Sequence, residues 1–261
     1  MPSLLRHPVI LVHGLFGFDS WKVAGWEAMT YFRGIGEHLR SKGIRVAAPR
    51  LSPMSSVAER AQQLVQFIRD NFAQDRVHLI AHSMGGLDAR YALSQLGLGE
   101  RTLSLTTIGT PHRGTSAADI GVSRLERYVK PWLKYLHIPH DAFYDLMTEK
   151  CAAFNEQVHD VPGVNYYAVA GRNQGAWLSL EWWVPYGIVS FREGENDGIV
   201  AVSSACHHYE YELWEGDHLS LVNWPNTRAI AQGVWRNRKD QYWKLIERLA
   251  EKVETSIHPH S

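Results

Sequence analysis

The sequence has few cysteines: Cys151 and Cys206 are the two in a chain of 261 residues. They lie far apart and match neither a C-x-x-C motif nor a zinc-binding spacing, which argues against a metal site built on thiolates. We therefore expect both to be free, buried thiols. A single disulfide between them is the alternative that the sequence leaves open.

The chain also lacks an excess of charge of either sign, because 27 lysines and arginines balance 27 aspartates and glutamates. A strongly basic surface is what attracts phosphates and anionic lipid, so charge-driven binding of nucleic acid is not expected. A small neutral partner fits this composition better.

Long apolar runs are missing as well. No stretch approaches the roughly 18 apolar residues that a membrane-spanning helix needs, so no transmembrane segment is predicted. The start of the chain, "MPSLLRHPVILVHG", has an apolar run broken by Arg6, His7 and Pro8, and it is too short and interrupted for a secretory leader. We expect a cytoplasmic location, or a secreted one if a leader has been removed.

The chain does contain enough apolar residues, 45% of the total, to fill the core of one large domain. Short continuous apolar runs, typical of strands buried on both faces, recur along it. They cover residues 9–12, 44–49, 76–81 and 103–109, with 164–171 and 209–213 as further candidates. No repeat or low-complexity tract interrupts them, so residues 1–261 are predicted to form a single domain.

Helical patterns alternate with these strands. Residues 56–72 have one apolar face and begin with Ser56 and Glu59, which match a capping box. Residues 83–97 and 240–253 also have helical spacing. This alternation predicts the α/β class, with a mostly parallel, doubly wound sheet covered by helices. Residues 115–160 interrupt it, and we interpret them as a helical lid or cap insertion over the carboxyl edge of the sheet.

A serine lies between a strand and a helix in "LIAHSMGGLDARYA". A residue on such a sharp turn has its side chain thrust upward, and only small neighbours tolerate the backbone. Ala81, Gly85 and Gly86 are small, and the helix that follows directs backbone N–H groups towards developing negative charge. Ser83 is therefore a candidate nucleophile, and a plain helix N-cap is the alternative.

Five motifs occur in a fixed order: "HPVILVHGLFGFDSW", "LIAHSMGGLDARY", "IGTPHRGTS", "NDGIV" and "GDHLSLVN". Together they resemble the bacterial true-lipase families of the α/β-hydrolase superfamily over residues 8–225. The resemblance implies an α/β-hydrolase fold and a serine carboxylic ester hydrolase, a lipase or esterase. Apolar acyl esters such as acylglycerols are the implied substrates, and transient contact with a lipid interface is implied as well.

The resemblance also implies roles for individual residues. His218 is the base that takes the proton from Ser83, and Asp197 is the acid that orients the imidazole, with Glu195 and Asp217 in reserve. Backbone N–H groups of Leu15 and Met84 form the oxyanion hole. His13 is a structural residue under the oxyanion loop.

No cofactor and no metal are expected. Many secreted members of these families bind calcium through an aspartate two residues after the catalytic histidine, and Ser220 occupies that position here. His112 and Arg113 resemble a family motif for which we expect structural hydrogen bonds. Six tryptophans are candidates for lining an acyl pocket, although ordinary packing explains each one equally well: Trp21, Trp26, Trp132, Trp177, Trp182 and Trp183.

Other functions remain open at this level. A thioesterase, an amidase or a lyase would use the same fold, and a non-catalytic binding protein would keep the sheet without the chemistry. An epoxide hydrolase or dehalogenase would need a carboxylate where Ser83 stands.

Overall fold

The computed structural model describes residues 4–15, 31–121, 141–175 and 183–255. Its six strands are β1 (Val9–Val12), β2 (Val46–Ala47), β3 (Val77–His82), β4 (Thr102–Ile108), β5 (Asn165–Arg172) and β6 (Glu210–Glu215). They form one sheet in the order β2-β1-β3-β4-β5-β6, and every neighbouring pair is parallel. The predicted α/β class and parallel sheet are therefore confirmed.

The helices alternate with the strands. They are α1 (Ile35–Ser41), α2 (Val57–Asn71), α3 (Met84–Gln95), α4 (Asp141–Asp145), α5 (Thr148–Gln157), α6 (Trp183–Glu193), α7 (Val202–Cys206), α8 (Thr227–Ala231) and α9 (Lys239–Leu249), which continues as a π-helical turn at Ala250–Glu254. In the part of the chain that the structure describes, no helix is both long and apolar enough to cross a membrane.

Two helices begin for different local reasons. The Ser56 side chain accepts a hydrogen bond from the Glu59 N–H, and the Glu59 side chain accepts one from the Ser56 N–H, so the predicted capping box at α2 is present. At α3 the helix starts at Met84, as predicted, because Ser83 before it has a non-helical backbone with φ 56° and ψ −133°.

The central strands β1, β3 and β4 are buried along their whole length, and two clusters of apolar side chains cover the faces of the sheet. Strand β2 is shorter than the predicted 44–49, because only Val46 and Ala47 pair with β1 at this edge of the sheet. The carboxyl ends of the parallel strands meet at one edge, which is where α/β sheets bind ligands.

The interruption of the alternation lies between β4 and β5. Its described residues, 115–121 and 141–160, contain helical segments that include α4 and α5 and no strand. Residues 122–140 lie outside the described residues, so the role of 115–160 as a lid stays a prediction.

Both cysteines are free and buried. Burial raises the pKa of the Cys151 thiol to about 12 and that of Cys206 to about 11. The structure therefore has no disulfide between Cys151 and Cys206.

Candidate active site

Ser83 stands on a strained turn between β3 and α3. Its φ of 56° lies in the left-handed region, which an L-residue with a side chain rarely adopts. A Cβ atom on Gly85 would lie 2.7 Å from the carbonyl oxygens of Val12 and His13, so the turn requires a glycine there. Ser83 stands at the N-cap position of α3, but its side chain makes no capping hydrogen bond, so its hydroxyl is not engaged in capping the helix.

His218 and Asp197 lie together in the loops that follow β6 and β5. The Nδ1–H of His218 donates to Asp197 Oδ2 at 2.7 Å, and the His218 backbone N–H donates to the Asp197 carbonyl at 2.8 Å. The other carboxylate oxygen of Asp197 accepts from Val200 N–H at 2.8 Å and Ile199 N–H at 3.1 Å. Because an ionised carboxylate only accepts, this contact fixes the imidazole proton on Nδ1 and leaves Nε2 as an acceptor.

The two reserve acids point away from the His218 imidazole. Glu195 is exposed and its carboxylate lies 3.6 Å from Arg172 Nη1. Asp217 accepts from the Ser220 N–H at 2.7 Å and from Asn226 Nδ2 at 2.6 Å, and burial raises the pKa of its carboxyl. Of the three predicted acids, the one that contacts His218 is Asp197.

Ser83 lies beside this pair. Its N–H donates to the carbonyl of Ile108 at the end of β4. A Cβ atom on the next residue, Gly109, would lie 3.3 Å from His218 Nδ1 and 3.2 Å from Asp197 Oδ2. Across the described part of the chain, no hydrogen bond joins the Ser83 hydroxyl to the His218 imidazole. Such catalytic bonds often form only once substrate is bound.

The two predicted oxyanion donors belong to the residue after Ser83 and to the loop after β1. Gly14 approaches so closely that a Cβ atom on it would lie 2.7 Å from the Ser83 Cβ, which brings the loop after β1 against the serine. Leu15 packs against the apolar cluster that contains Met84. Within the described residues, neither Leu15 N–H nor Met84 N–H donates a hydrogen bond to another group. Both donors are therefore available to a ligand.

A buried ion pair holds the loop after β1, and our reading of the sequence missed it. Arg60 and Asp88 are both fully buried, with Arg60 Nε 2.8 Å from Asp88 Oδ2. Arg60 Nη2 also donates to the His13 carbonyl at 2.7 Å and to the Gly14 carbonyl at 3.3 Å. Burial raises the pKa of the Asp88 carboxyl to about 7, and Arg60 opposes that rise. The available signal was an arginine inside the apolar stripe of α2, between Val57 and Leu64.

His13 also holds the loop after β1 in place through hydrogen bonds. Its Nε2 accepts from the Leu51 N–H at 3.0 Å, so its Nδ1–H donates to the Gly14 carbonyl at 2.8 Å. Burial, together with the positive charge of Arg60, lowers the pKa of His13 to about 4, which keeps the ring neutral. These bonds agree with the structural role expected for His13.

His112 and Arg113 also make structural contacts. Arg90 Nη1 donates to His112 Nδ1 at 3.2 Å, and His112 Nε2–H donates to Thr107 Oγ1 at 3.1 Å. Burial, followed by the charge of Arg90, lowers the pKa of His112 well below its ordinary value. The Arg113 N–H donates to Ser204 Oγ at 3.0 Å. None of these contacts reaches Ser83.

The position that carries the calcium ligand in related lipases does not fit calcium here. The Ser220 hydroxyl donates to the Asp217 carbonyl at 2.7 Å, and the Asp217 carboxylate is occupied by Ser220 N–H and Asn226. A search of the described residues finds no group of three histidine, cysteine or acidic side chains that could hold a metal ion. The expectation that no cofactor is needed stays a prediction.

Most of the candidate pocket tryptophans lie outside the described residues: Trp21, Trp26, Trp132, Trp177 and Trp182. The described one, Trp183, begins α6 and is 64% exposed, so it does not line an enclosed pocket.

Comparison with known proteins identifies the same architecture. A family model described as the alpha/beta hydrolase fold matches residues 7–130. Triacylglycerol lipase 2 of Saccharomyces cerevisiae is 34% identical, covering 95% of this chain and 92% of that protein. The triacylglycerol lipase of Pseudomonas fragi is 37% identical, covering 94% of this chain and 97% of that protein. Among solved structures, a Bacillus licheniformis lipase in its mature form superposes with a TM-score of 0.71 at 23% identity, covering 94% and 93% of the two chains.

Proposed function

Since the chain belongs to the α/β-hydrolase family that includes these triacylglycerol lipases, and is a carboxylic ester hydrolase of the lipase/esterase class, we propose that Ser83, His218 and Asp197 are its catalytic triad. Ser83 Oγ attacks the ester carbonyl carbon while His218 Nε2 takes its proton. The same proton then passes to the leaving alcohol. Water, activated in turn by His218, releases the acid from the acyl-enzyme.

The oxyanion that forms in each half-reaction would bind between Leu15 N–H and Met84 N–H. Both donors are free of other partners in the described structure, Met84 follows Ser83 in the chain, and Gly14 next to Leu15 approaches the Ser83 side chain. Loss of one such donor in a hydrolase typically lowers turnover roughly a hundred- to a thousandfold. This hole needs no metal ion, which agrees with the poor fit of the Ser220 position to calcium.

The observation that carries the proposal is the His218–Asp197 pair. The Asp197 carboxylate is buried and accepts from three N–H donors, one of them the imidazole Nδ1–H, and an apolar residue would fill this space without the cost of burying a charge. Its position next to a strained serine at the carboxyl edge of the sheet is what acyl transfer requires.

The direct test compares Ser83→Ala with Ser94→Ala on the far turn of the same helix, using p-nitrophenyl esters from acetate to palmitate. We expect Ser83→Ala to lose about a million-fold in turnover, while Ser94→Ala keeps the activity of the wild type. Activity of Ser83→Ala within tenfold of wild type would end the proposal. An optimum at long acyl chains would favour a lipase, and an optimum at short chains an esterase.

Helix α6 supports contact with a lipid surface. It exposes the apolar side chains Trp183, Val184 and Phe191, of which Phe191 is 90% exposed, together with one charged side chain, Arg192, in its last turn. A helix with an apolar outer face binds the boundary between water and lipid. We therefore assign triacylglycerol in an emulsion or droplet as the substrate form. The cytoplasmic location stays a prediction of the sequence.

The matched pair Phe191→Asp and Ile230→Asp tests that assignment, since Ile230 is an exposed apolar residue on α8, a different helix. We expect Phe191→Asp to lose most of its activity on emulsified triacylglycerol and to keep its activity on dissolved p-nitrophenyl acetate. Equal losses on both substrates, or equal effects of the two substitutions, would contradict the role of α6.

A further inference from the structure

His82, the residue before Ser83, is fully buried, and both of its ring nitrogens are occupied. Its Nε2 lies 3.0 Å from the carbonyl oxygen of His218, and its Nδ1 lies 2.7 Å from the hydroxyl of Tyr31. A carbonyl oxygen can only accept, so the His82 proton is on Nε2. The neutral ring therefore accepts from the Tyr31 O–H at Nδ1.

The neutral state of His82 has a physical cause. Burial, followed by the neighbouring His218, lowers the pKa of His82 well below its ordinary value. A neutral imidazole has one donor and one acceptor, and here each has a single matching partner. The Tyr31 hydroxyl therefore selects the tautomer in which Nε2–H faces the His218 carbonyl.

Tyr31 extends this contact to the other side of the site. Its buried hydroxyl also lies against the backbone of Gly14, in the loop that carries the Leu15 N–H, because a Cβ atom on Gly14 would lie 3.0 Å from the Tyr31 oxygen. The ring of Tyr31 packs at 5.5 Å from that of His13 and at 5.6 Å from that of His82. Contacts of Tyr31 and His82 thus connect the loop after β1 with the loop of His218.

The His82 ring also lies against the imidazole that would act as base, with the two ring centroids 4.5 Å apart at an interplanar angle of 44°. His82 therefore restrains His218 at two points, the carbonyl oxygen through a hydrogen bond and the ring through packing. An apolar side chain of similar size would supply only the second restraint.

We propose that His82 and Tyr31 are positioning residues for ester hydrolysis: Tyr31 O–H sets the His82 tautomer, and His82 Nε2–H then holds the backbone of His218 in register with Ser83. Neither residue is assigned a proton-transfer or bond-forming step. The inference rests on the proposed role of His218 as the base.

The first test replaces Tyr31 by Phe, with Tyr209→Phe as the control, because the Tyr209 hydroxyl is also buried and donates to Asp160 away from the triad. Active sites are counted by titration with a fluorophosphonate, so that unfolded protein does not enter kcat. A base displaced by less than an ångström can cost up to about a hundredfold in rate. We expect kcat of Tyr31→Phe to fall by about ten- to a hundredfold with KM within about twofold, and Tyr209→Phe to match the wild type.

The second test separates His82 from Gly14, since Tyr31 contacts both. The amide nitrogen of a glutamine reaches the position of His82 Nε2 and keeps the donor to the His218 carbonyl, whereas a leucine keeps only the packing. We expect His82→Gln to retain most of the wild-type kcat and His82→Leu to lose as much as Tyr31→Phe, again with KM unchanged.

Equal kcat values for His82→Gln and His82→Leu, or a Tyr31→Phe variant with the wild-type kcat, would overturn the positioning role. These outcomes leave the catalytic proposal intact so long as Ser83→Ala is inactive. Residual hydrolysis by Ser83→Ala would instead overturn the proposed function itself.

Discussion

The two ends of the same sheet use buried polar groups in opposite ways. At the amino edge, the Glu254 carboxylate accepts from the backbone N–H groups of Arg6 and His7 and contacts His78 Nε2 at 3.2 Å, while His78 Nδ1 pairs with Ser104 Oγ at 2.8 Å. Each of these polar groups forms a hydrogen bond with another group of the protein. This cluster joins the π-helical turn Ala250–Glu254 to the strand-bearing core.

At the carboxyl edge, some polar groups have no hydrogen-bond partner within the described residues. Ser83 has a strained backbone, and the N–H groups of Leu15 and Met84 have no acceptor in the described residues. Strain and unsatisfied donors lower stability, and a protein retains them where a ligand or a transition state completes the bonds. Substitutions at the carboxyl edge should therefore reduce the rate of ester hydrolysis, whereas substitutions at the amino edge should reduce the stability of the fold.

Replacing Asp197 by Asn should have the largest effect on rate. The amide keeps the size of the side chain but no longer fixes the His218 proton on Nδ1, so the Nε2 lone pair that must accept from Ser83 is lost in part of the molecules. Turnover is expected to fall by about 10⁴, measured as kcat on a soluble p-nitrophenyl ester. Glu195→Gln, at the exposed reserve acid, should keep the wild-type kcat, and equal losses in the two variants would contradict the assignment of the acid.

Arg60 is expected to affect both stability and rate, because it is a buried ion-pair partner that also donates to the loop after β1, where we propose that one oxyanion donor lies. Replacing it by Met leaves the Asp88 carboxyl buried without its partner, which is expected to lower the free energy of unfolding by about 3–5 kcal/mol. The His13 carbonyl loses the Arg60 donor at the same time, and the Gly14 carbonyl keeps only the bond from His13 Nδ1–H, so kcat should fall as well. Urea unfolding and kcat per titrated site measure the two losses separately.

The double variant Arg60→Met/Asp88→Leu separates the loss of stability from the loss of rate. An apolar pair of similar volume removes the uncompensated charge, so most of the lost stability should return. The rate should not return, since neither side chain donates to the His13 carbonyl. Recovery of both quantities together would show that Arg60 contributes only to folding.

Glu254→Gln should leave kcat per site unchanged and reduce stability by about 1–3 kcal/mol at pH 7. Burial raises the pKa of this carboxyl, but hydrogen bonds from His78 and from the Arg6 and His7 backbone outweigh it and lower the pKa from 4.5 to about 2. A carboxyl with a depressed pKa stabilises the fold above its unfolded value, and that contribution disappears as the pH falls from 4.5 to 2.

Wild type and Glu254→Gln should therefore differ in unfolding free energy at neutral pH, and the difference should shrink as the pH falls from 4.5 and disappear below about pH 2. Glu251→Gln, an exposed position on the same turn, is the control and should follow the wild type at every pH. A difference between wild type and Glu254→Gln that does not shrink between pH 4.5 and pH 2 would mean that the carboxylate charge is not what this cluster uses.

Local patterns in the sequence were sufficient for most of the fold. The apolar run at Val9–Val12 coincides with β1, and the capping box at Ser56 marks the start of α2 where the structure has it. The strand-to-helix turn at Ser83 was equally readable, because small residues at fixed offsets are a local requirement of that backbone. The class of enzyme, a lipase or esterase of the α/β-hydrolase family, followed from motifs of the same local kind.

The hydrogen bonds that support the candidate site could not be predicted from local patterns in the sequence. The contact between Arg60 and His13 joins residues 47 positions apart, and that between His82 and His218 joins residues 136 positions apart. A buried arginine and a buried histidine look the same in a sequence as any other interruption of an apolar pattern. Their roles depend on which backbone groups the fold brings near them, and that is a property of the packed sheet.

The most direct test is to label the protein with a fluorophosphonate and map the adduct by peptide mass spectrometry while following hydrolysis of a p-nitrophenyl ester. We predict one adduct per chain, on Ser83, formed in proportion to the loss of hydrolysis and formed far more slowly in Asp197→Asn. An adduct on another residue that accompanies full inhibition, or hydrolysis that continues after Ser83 is fully labelled, would contradict the assignment of Ser83 as the nucleophile.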